Sequence, residues 1–151
     1  MSPLRYLIVD DSPTVRLTIK QALSQEKVAP SEVAEAGSAA EGLAEFDRTD
    51  PDVVFLDVTL SEGAATPVFD VLKRPAAAPK SGNDLARYMR SKKPSVTIVV
   101  CTGNPADDPR VREMIKGGAF QLLQKPVHLA QIRQVLLQVR DEREGATAPP
   151  S

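Results

Sequence analysis

Asp52-Val53-Val54-Phe55-Leu56-Asp57 constrains this chain more than any other stretch. Bounded by Asp50-Pro51-Asp52, it is a short apolar run with no polar face. That is the pattern of a strand buried on both sides, as in parallel sheets. It stops on a carboxylate. A charge placed where such a strand emerges lies at the carboxyl edge of the sheet, where open α/β sheets bind their ligands. Taken alone, Asp57 caps the following loop as readily as it does chemistry. Other runs end in the same way. Leu4 to Val9 leads into Asp10-Asp11, Val96 to Cys101 into Thr102-Gly103, and Phe120 to Leu123 into Lys125-Pro126. As parallel neighbours, these strand ends bring carboxylates, a hydroxyl and an ammonium to one edge. The result is a cation site beside a phosphoryl site.

Helical patterns alternate with the strands. Ser12-Pro13 is an N-cap and first-turn signal, and Val15, Ile19, Ala22 and Leu23 share a face behind it. Val33 to Ala36 is a weaker strand, turned by Gly37. Ser38 with Glu41 then fits a capping box for a helix that places Ala40, Leu43 and Ala44 inward. From Ser81 a helix carries Leu85, Tyr88 and Met89 on its inner face. Another with Val111, Met114 and Ile115 inward ends at Gly117-Gly118, and the last presents Ile132, Val135, Leu136 and Val139. Strands alternating with helices predict an α/β fold: a doubly wound parallel sheet with right-handed crossovers and helices on both faces. The expected domain spans residues 1–143, with 144–151 as a disordered tail that has nothing to bury.

At 151 residues the chain suits one domain with a single core. A net charge of −1 supplies no electrostatic case for nucleic acid or an anionic membrane, and no DNA-binding module is expected after the last helix. No apolar run approaches the roughly 20 residues needed to span a bilayer. The N-terminus enters a strand that meets two acids, unlike a signal peptide. The single Cys101 cannot form an internal disulfide and falls in a strand, as a small buried hydrophobe would in a reducing compartment. A cytoplasmic location is the expectation.

The chemistry follows from the strand ends. Mg²⁺ takes octahedral oxygen ligands, usually one or two carboxylates with waters and phosphate oxygens. Asp10, Asp11 and Asp57 meet that need. Without a cation, two carboxylates about 4 Å apart repel by roughly 4 kcal/mol at an effective dielectric near 20. Phosphoryl transfer to a carboxylate asks the protein only for positioning and neutralisation of the equatorial oxygens. Mg²⁺, the Lys125 ammonium and the Thr102 hydroxyl would each meet one of them. Lys125-Pro126 also suggests a cis peptide.

Together Leu7-Ile8-Val9-Asp10-Asp11-Ser12, Glu35 to Glu41, Pro51 to Asp57, Val99-Val100-Cys101-Thr102-Gly103 and Gly118 to Pro126 make the chain resemble the receiver domain of two-component response regulators. The resemblance covers Leu4 to Arg140 apart from an insertion. It implies a flavodoxin-like five-stranded sheet in the order 2-1-3-4-5. It implies Asp57 as phosphoacceptor from a histidine kinase or phosphotransfer protein, Asp11 as a direct Mg²⁺ ligand, and Asp10 acting largely through water. It further implies the Thr59 backbone carbonyl as a ligand, and Thr102 and Lys125 as the groups that move onto the phosphoryl. It implies a phosphoacceptor that signals to a downstream protein, and not a turnover enzyme.

Three departures mark this sequence. Leu60-Ser61-Glu62 stands where the family often has proline, and an insertion over about 61–80 follows. Ser81-Gly82 begins the helix usually begun by Asp-Gly. Leu122 occupies the switch position usually held by an aromatic. Phe120 shares its face of a regular strand but stands about 6.6 Å away. Within the insertion, Thr66-Pro67 to Arg74 suggests a two-turn helix whose Val68, Phe69, Val71 and Leu72 must pack on the domain, a second copy or a partner. The alternative function is a phosphorylation-independent interaction module using 61–80. An aspartyl-phosphate hydrolase would want an acid two residues after Asp57, where Thr59 stands.

Overall fold

The structure is a computed structural model and describes residues 4–58, 81–105 and 107–147. Parallel strands β1 (Tyr6–Val9), β2 (Val33–Ala36), β3 (Val53–Asp57), β4 (Thr97–Thr102) and β5 (Gln121–Gln124) form one sheet in the order β2-β1-β3-β4-β5. The expected topology is thus the observed one. Between them run α1 (Pro13–Gln25), α2 (Ala39–Thr49), α3 (Gly82–Lys92) and α4 (Pro109–Lys116), and α5 (Leu129–Thr147) closes the described chain. Serine side chains cap three of these helices: Ser12 accepts from Val15 N at 3.3 Å, Ser38 from Glu41 N at 3.2 Å and Ser81 from Asp84 N at 3.2 Å. The Glu41 carboxylate reaches back to Gly37 N at 2.8 Å and completes the Ser38 cap. Gly118, at φ +106°, turns the chain out of α4 in a conformation that glycine adopts without cost.

Alternation along the buried strands builds two cores. Leu7, Val9, Val54, Leu56, Ile98 and Val100 pack under α2, α3 and α4, against Leu43, Phe46, Leu85, Met89, Val111 and Met114. Tyr6, Ile8, Val53, Phe55, Val99 and Cys101 pack under α1 and α5 on the other face, against Ile19, Leu23, Ile132 and Leu136. Phe55 is 1% exposed, and burying a side chain of this size contributes about 2–3 kcal/mol.

Several sequence expectations shift. The buried face of α2 is Ala39, Gly42, Leu43 and Phe46, whereas Ala44 is exposed. Small alanines define a helix phase poorly, and Phe46 together with the close approach of Gly42 to Val9 and Leu85 sets it instead. Ile115 is 46% exposed, because Val111 and Met114 already fill the contact of α4 with the sheet. Phe120 packs in the α1/α5 core, and Leu122 packs in the opposite one. β5 begins only at Gln121, so the pleat that would put both on one face does not reach Phe120. The last helix continues through Gly145 to Thr147, into the stretch expected to be tail. Adding residues to an existing helix is easy even across one glycine, which costs about 1 kcal/mol. Residues 148–151 and the helix expected at 66–74 lie outside the described residues. Among the described residues no helix is long and apolar enough to cross a membrane.

Candidate functional site

The register carries the polar strand ends to one edge. Val9 pairs with Leu56, Asp57 with Cys101 and Thr102 with Gln124, so Asp10, Asp57, Thr102 and Lys125 cap adjacent strands. Asp10 N donates to Ala36 O at 3.0 Å, and Lys125 N to Thr102 O at 2.8 Å, extending the ladders to these residues. The peptide before Pro126 is cis. Asp10 and Asp57 are each 1% exposed, while Asp11 is exposed. One carboxylate oxygen from each of the three lies within 4.8 Å of the others.

Asp10 Oδ1 accepts from Ser12 N at 2.8 Å. Its Oδ2 is buried without a hydrogen-bond partner among the described residues, although Lys125 Nζ stands 3.0 Å away without the alignment of a hydrogen bond. The same ammonium donates to Asp57 Oδ2 at 3.2 Å. One cation therefore bridges two buried acids. Burial raises the Asp10 carboxyl above its ordinary range, and the Ser12 amide and Lys125 offset this only in part. For Lys125, burial pulls downward, but close contact with Asp10 and the charges of Asp10 and Asp57 win, and its affinity for the proton rises. Burial pushes the Cys101 thiol up so far that it is inert.

The acid cluster fits a hard divalent cation. Its donors are all oxygen, they stand close together, and one is a buried carboxylate oxygen still lacking a hydrogen bond.

Thr102 is fully buried, and its Oγ accepts from Asn104 N at 3.0 Å. Leu122 pairs with Val100 in register and packs beside α4. Thr59 and the 61–80 insertion lie outside the described residues. Other residues support the site that the sequence reading passed over. The Arg16 guanidinium donates to Asp10 O and, at 3.2 Å, to Glu35 on β2, tying down the turn that aims the two acids. Gly82 opens α3 directly against the carboxyl end of β3: a Cβ there would stand 2.3 Å from Asp57 O. Asp52, at the opposite end of the same strand, accepts from Arg5 N at 2.9 Å and pairs with Lys93 at 3.2 Å, a structural tie.

The family model described as response regulator receiver domain matches residues 6–137. The chain belongs to this family. The receiver domain is 28% identical over 136 residues to the response regulator protein PilR of Pseudomonas aeruginosa, covering 90% of this chain and 26% of PilR. It therefore spans only about a quarter of that relative's length. It is 26% identical over 133 residues to the chemotaxis protein CheY of Listeria monocytogenes, covering 88% of this chain and 95% of CheY. Among solved structures, a CheY-like receiver domain protein from Methanospirillum hungatei superposes with a TM-score of 0.76 at 23% identity, over 96% of this chain and 99% of that one. That likeness establishes the shared fold.

Proposed function

We propose that this receiver domain accepts a phosphoryl group on Asp57 from a histidine kinase or phosphotransfer protein, with Mg²⁺ held by Asp10, Asp11 and Asp57, and signals through a downstream protein. The observation that carries the reading is the pair of buried acids, Asp10 and Asp57, both in contact with the Lys125 ammonium. A fold gains nothing structural by burying two carboxylates at a strand edge, since desolvation opposes it.

In this reading an Asp57 carboxylate oxygen attacks the phosphorus of a phosphohistidine. The P–N bond breaks, and its electron pair stays on the imidazole nitrogen. Bound Mg²⁺ would neutralise charge on the transferring group. Lys125 swings its ammonium from the carboxylates onto a phosphoryl oxygen as a compact point charge. The Thr102 hydroxyl accepts from Asn104 N and so keeps its own proton to donate to a second oxygen. Leu122, at the switch position, has no ring to swing into space that Thr102 vacates.

Calorimetric titration with Mg²⁺ tests the division of roles. Asp11→Ala should lose most of the affinity, whereas Lys125→Ala should keep or improve it, because the ammonium competes with the metal for the same oxygens. Loss of binding in Lys125→Ala with retention in Asp11→Ala would overturn the assignment.

A further inference from the structure

Asn83 is a buried amide that the mechanism above leaves unused. It is 6% exposed, directly after Gly82, whose backbone abuts Asp57 O and Val58. Its Nδ2 donates to Arg110 O at 3.0 Å, in the first turn of α4. Its Oδ1 is buried and has no hydrogen-bond partner among the described residues. For packing alone an apolar side chain of this size would serve better, since a buried amide costs desolvation. What the amide supplies is the donor to α4. From Arg110 a hydrogen-bond path leads on to the site. Arg110 N donates to Asp108 Oδ1 at 2.8 Å, Asn104 Nδ2 to Asp108 Oδ2 at 3.1 Å, and Asn104 N to Thr102 Oγ at 3.0 Å.

We infer that Asn83 is a positioning residue that holds the first turn of α4 in the frame of Asp57, and thereby sets where the Thr102 hydroxyl stands relative to the phosphoryl group. The inference rests on the phosphoacceptor reading above. One end of the path is the backbone of the phosphoacceptor strand, and the other is the hydroxyl that must meet the transferred group. The Asn83 donor is the tie that fixes the first turn of α4, while Val111, Met114 and the Arg90 bond to Met114 O hold its later turns. A helix free to slide would carry the Asp108 carboxylate and Asn104 with it.

The test is a double-mutant cycle on the rate at which acetyl phosphate with Mg²⁺ adds a phosphoryl group, followed by intact mass. Asn83→Leu should keep a thermal midpoint at or above that of the parent protein, yet be phosphorylated on the order of tenfold more slowly, the scale of a misplaced reacting group. Thr102→Ala should also be slow, and Asn83→Leu combined with Thr102→Ala should be no slower than Thr102→Ala alone, because Asn83 acts through that hydroxyl. A parental rate in Asn83→Leu, or losses that simply multiply, would overturn the inference. Asn83→Ala, which cannot clash, repeats the cycle if leucine overfills the site. In the unsubstituted protein the Asn83 side-chain amide resonances should shift when beryllofluoride and Mg²⁺ mimic the phosphoryl group, and unshifted resonances would count against the proposal. No phosphorylation of the unsubstituted protein would defeat the phosphoacceptor reading itself, a result distinct from failure of the cycle.

Discussion

Replacing Lys125 with alanine should cost the metal-free protein about 3 kcal/mol at neutral pH, the lower end for breaking a buried ion pair. The lower end applies because the Lys125 side chain is 20% exposed, whereas those of Asp10 and Asp57 are 2% and 1%. Without the ammonium, the two desolvated carboxylates lose the cation they share. The pH dependence follows in sign. Asp10 already titrates above its unfolded value, and losing Lys125 raises it further. Stability held while Asp10 is protonated is lost as pH rises through its folded value, so the deficit is present at pH 7 and shrinks on acidification. Mg²⁺ should repair the variant, since saturation to 100 times the dissociation constant returns about 2.7 kcal/mol. Urea unfolding of both proteins, with and without Mg²⁺, reads all of this. A variant as stable as its parent in the absence of metal would show that the acids do not need the lysine.

Gly82→Ala should cost about 3 kcal/mol, although alanine is intrinsically the better helix former by about 1 kcal/mol. The added methyl would lie 2.3 Å from Asp57 O and 3.1 Å from both Val58 Cα and Val58 O. All three are backbone atoms with no side-chain rotation available to relieve the overlap. Either α3 lifts from the sheet or the end of β3 moves, and the second displaces the Asp57 carboxylate. Mg²⁺ affinity should therefore fall along with stability. A variant of parental stability and affinity would mean that α3 does not rest on β3 at this point.

The sheet and the polar edge it carries were legible because parallel strands buried on both faces leave apolar runs with polar ends. Asp10, Asp57, Thr102 and Lys125 each stand at such an end, and sequence order plus a right-handed crossover rule places those ends together. Helix phase was less legible where it rested on alanine: Ala40 and Ala44 resemble core positions, but Phe46 and the missing side chain of Gly42 decide the rotation of α2. Phe120 misled because the two-residue repeat holds only inside a strand, and β5 starts one residue later. Asn83 carries no sequence signal at all. A polar residue in the first turn of a capped helix suggests a solvated side chain, and only packing against α4 turns it inward. The same holds for Arg16, whose side chain bonds to Asp10 just after β1 and to Glu35 on β2.

The most direct test of the account is intact-mass analysis after incubation with acetyl phosphate, with Mg²⁺ or with a chelator in its place. The parent protein should gain the mass of one phosphoryl group with Mg²⁺ and none with the chelator, and Asp57→Asn should gain none in either condition. A stable phosphoryl adduct on Asp57→Asn, or equal labelling of the parent without a divalent cation, would contradict it.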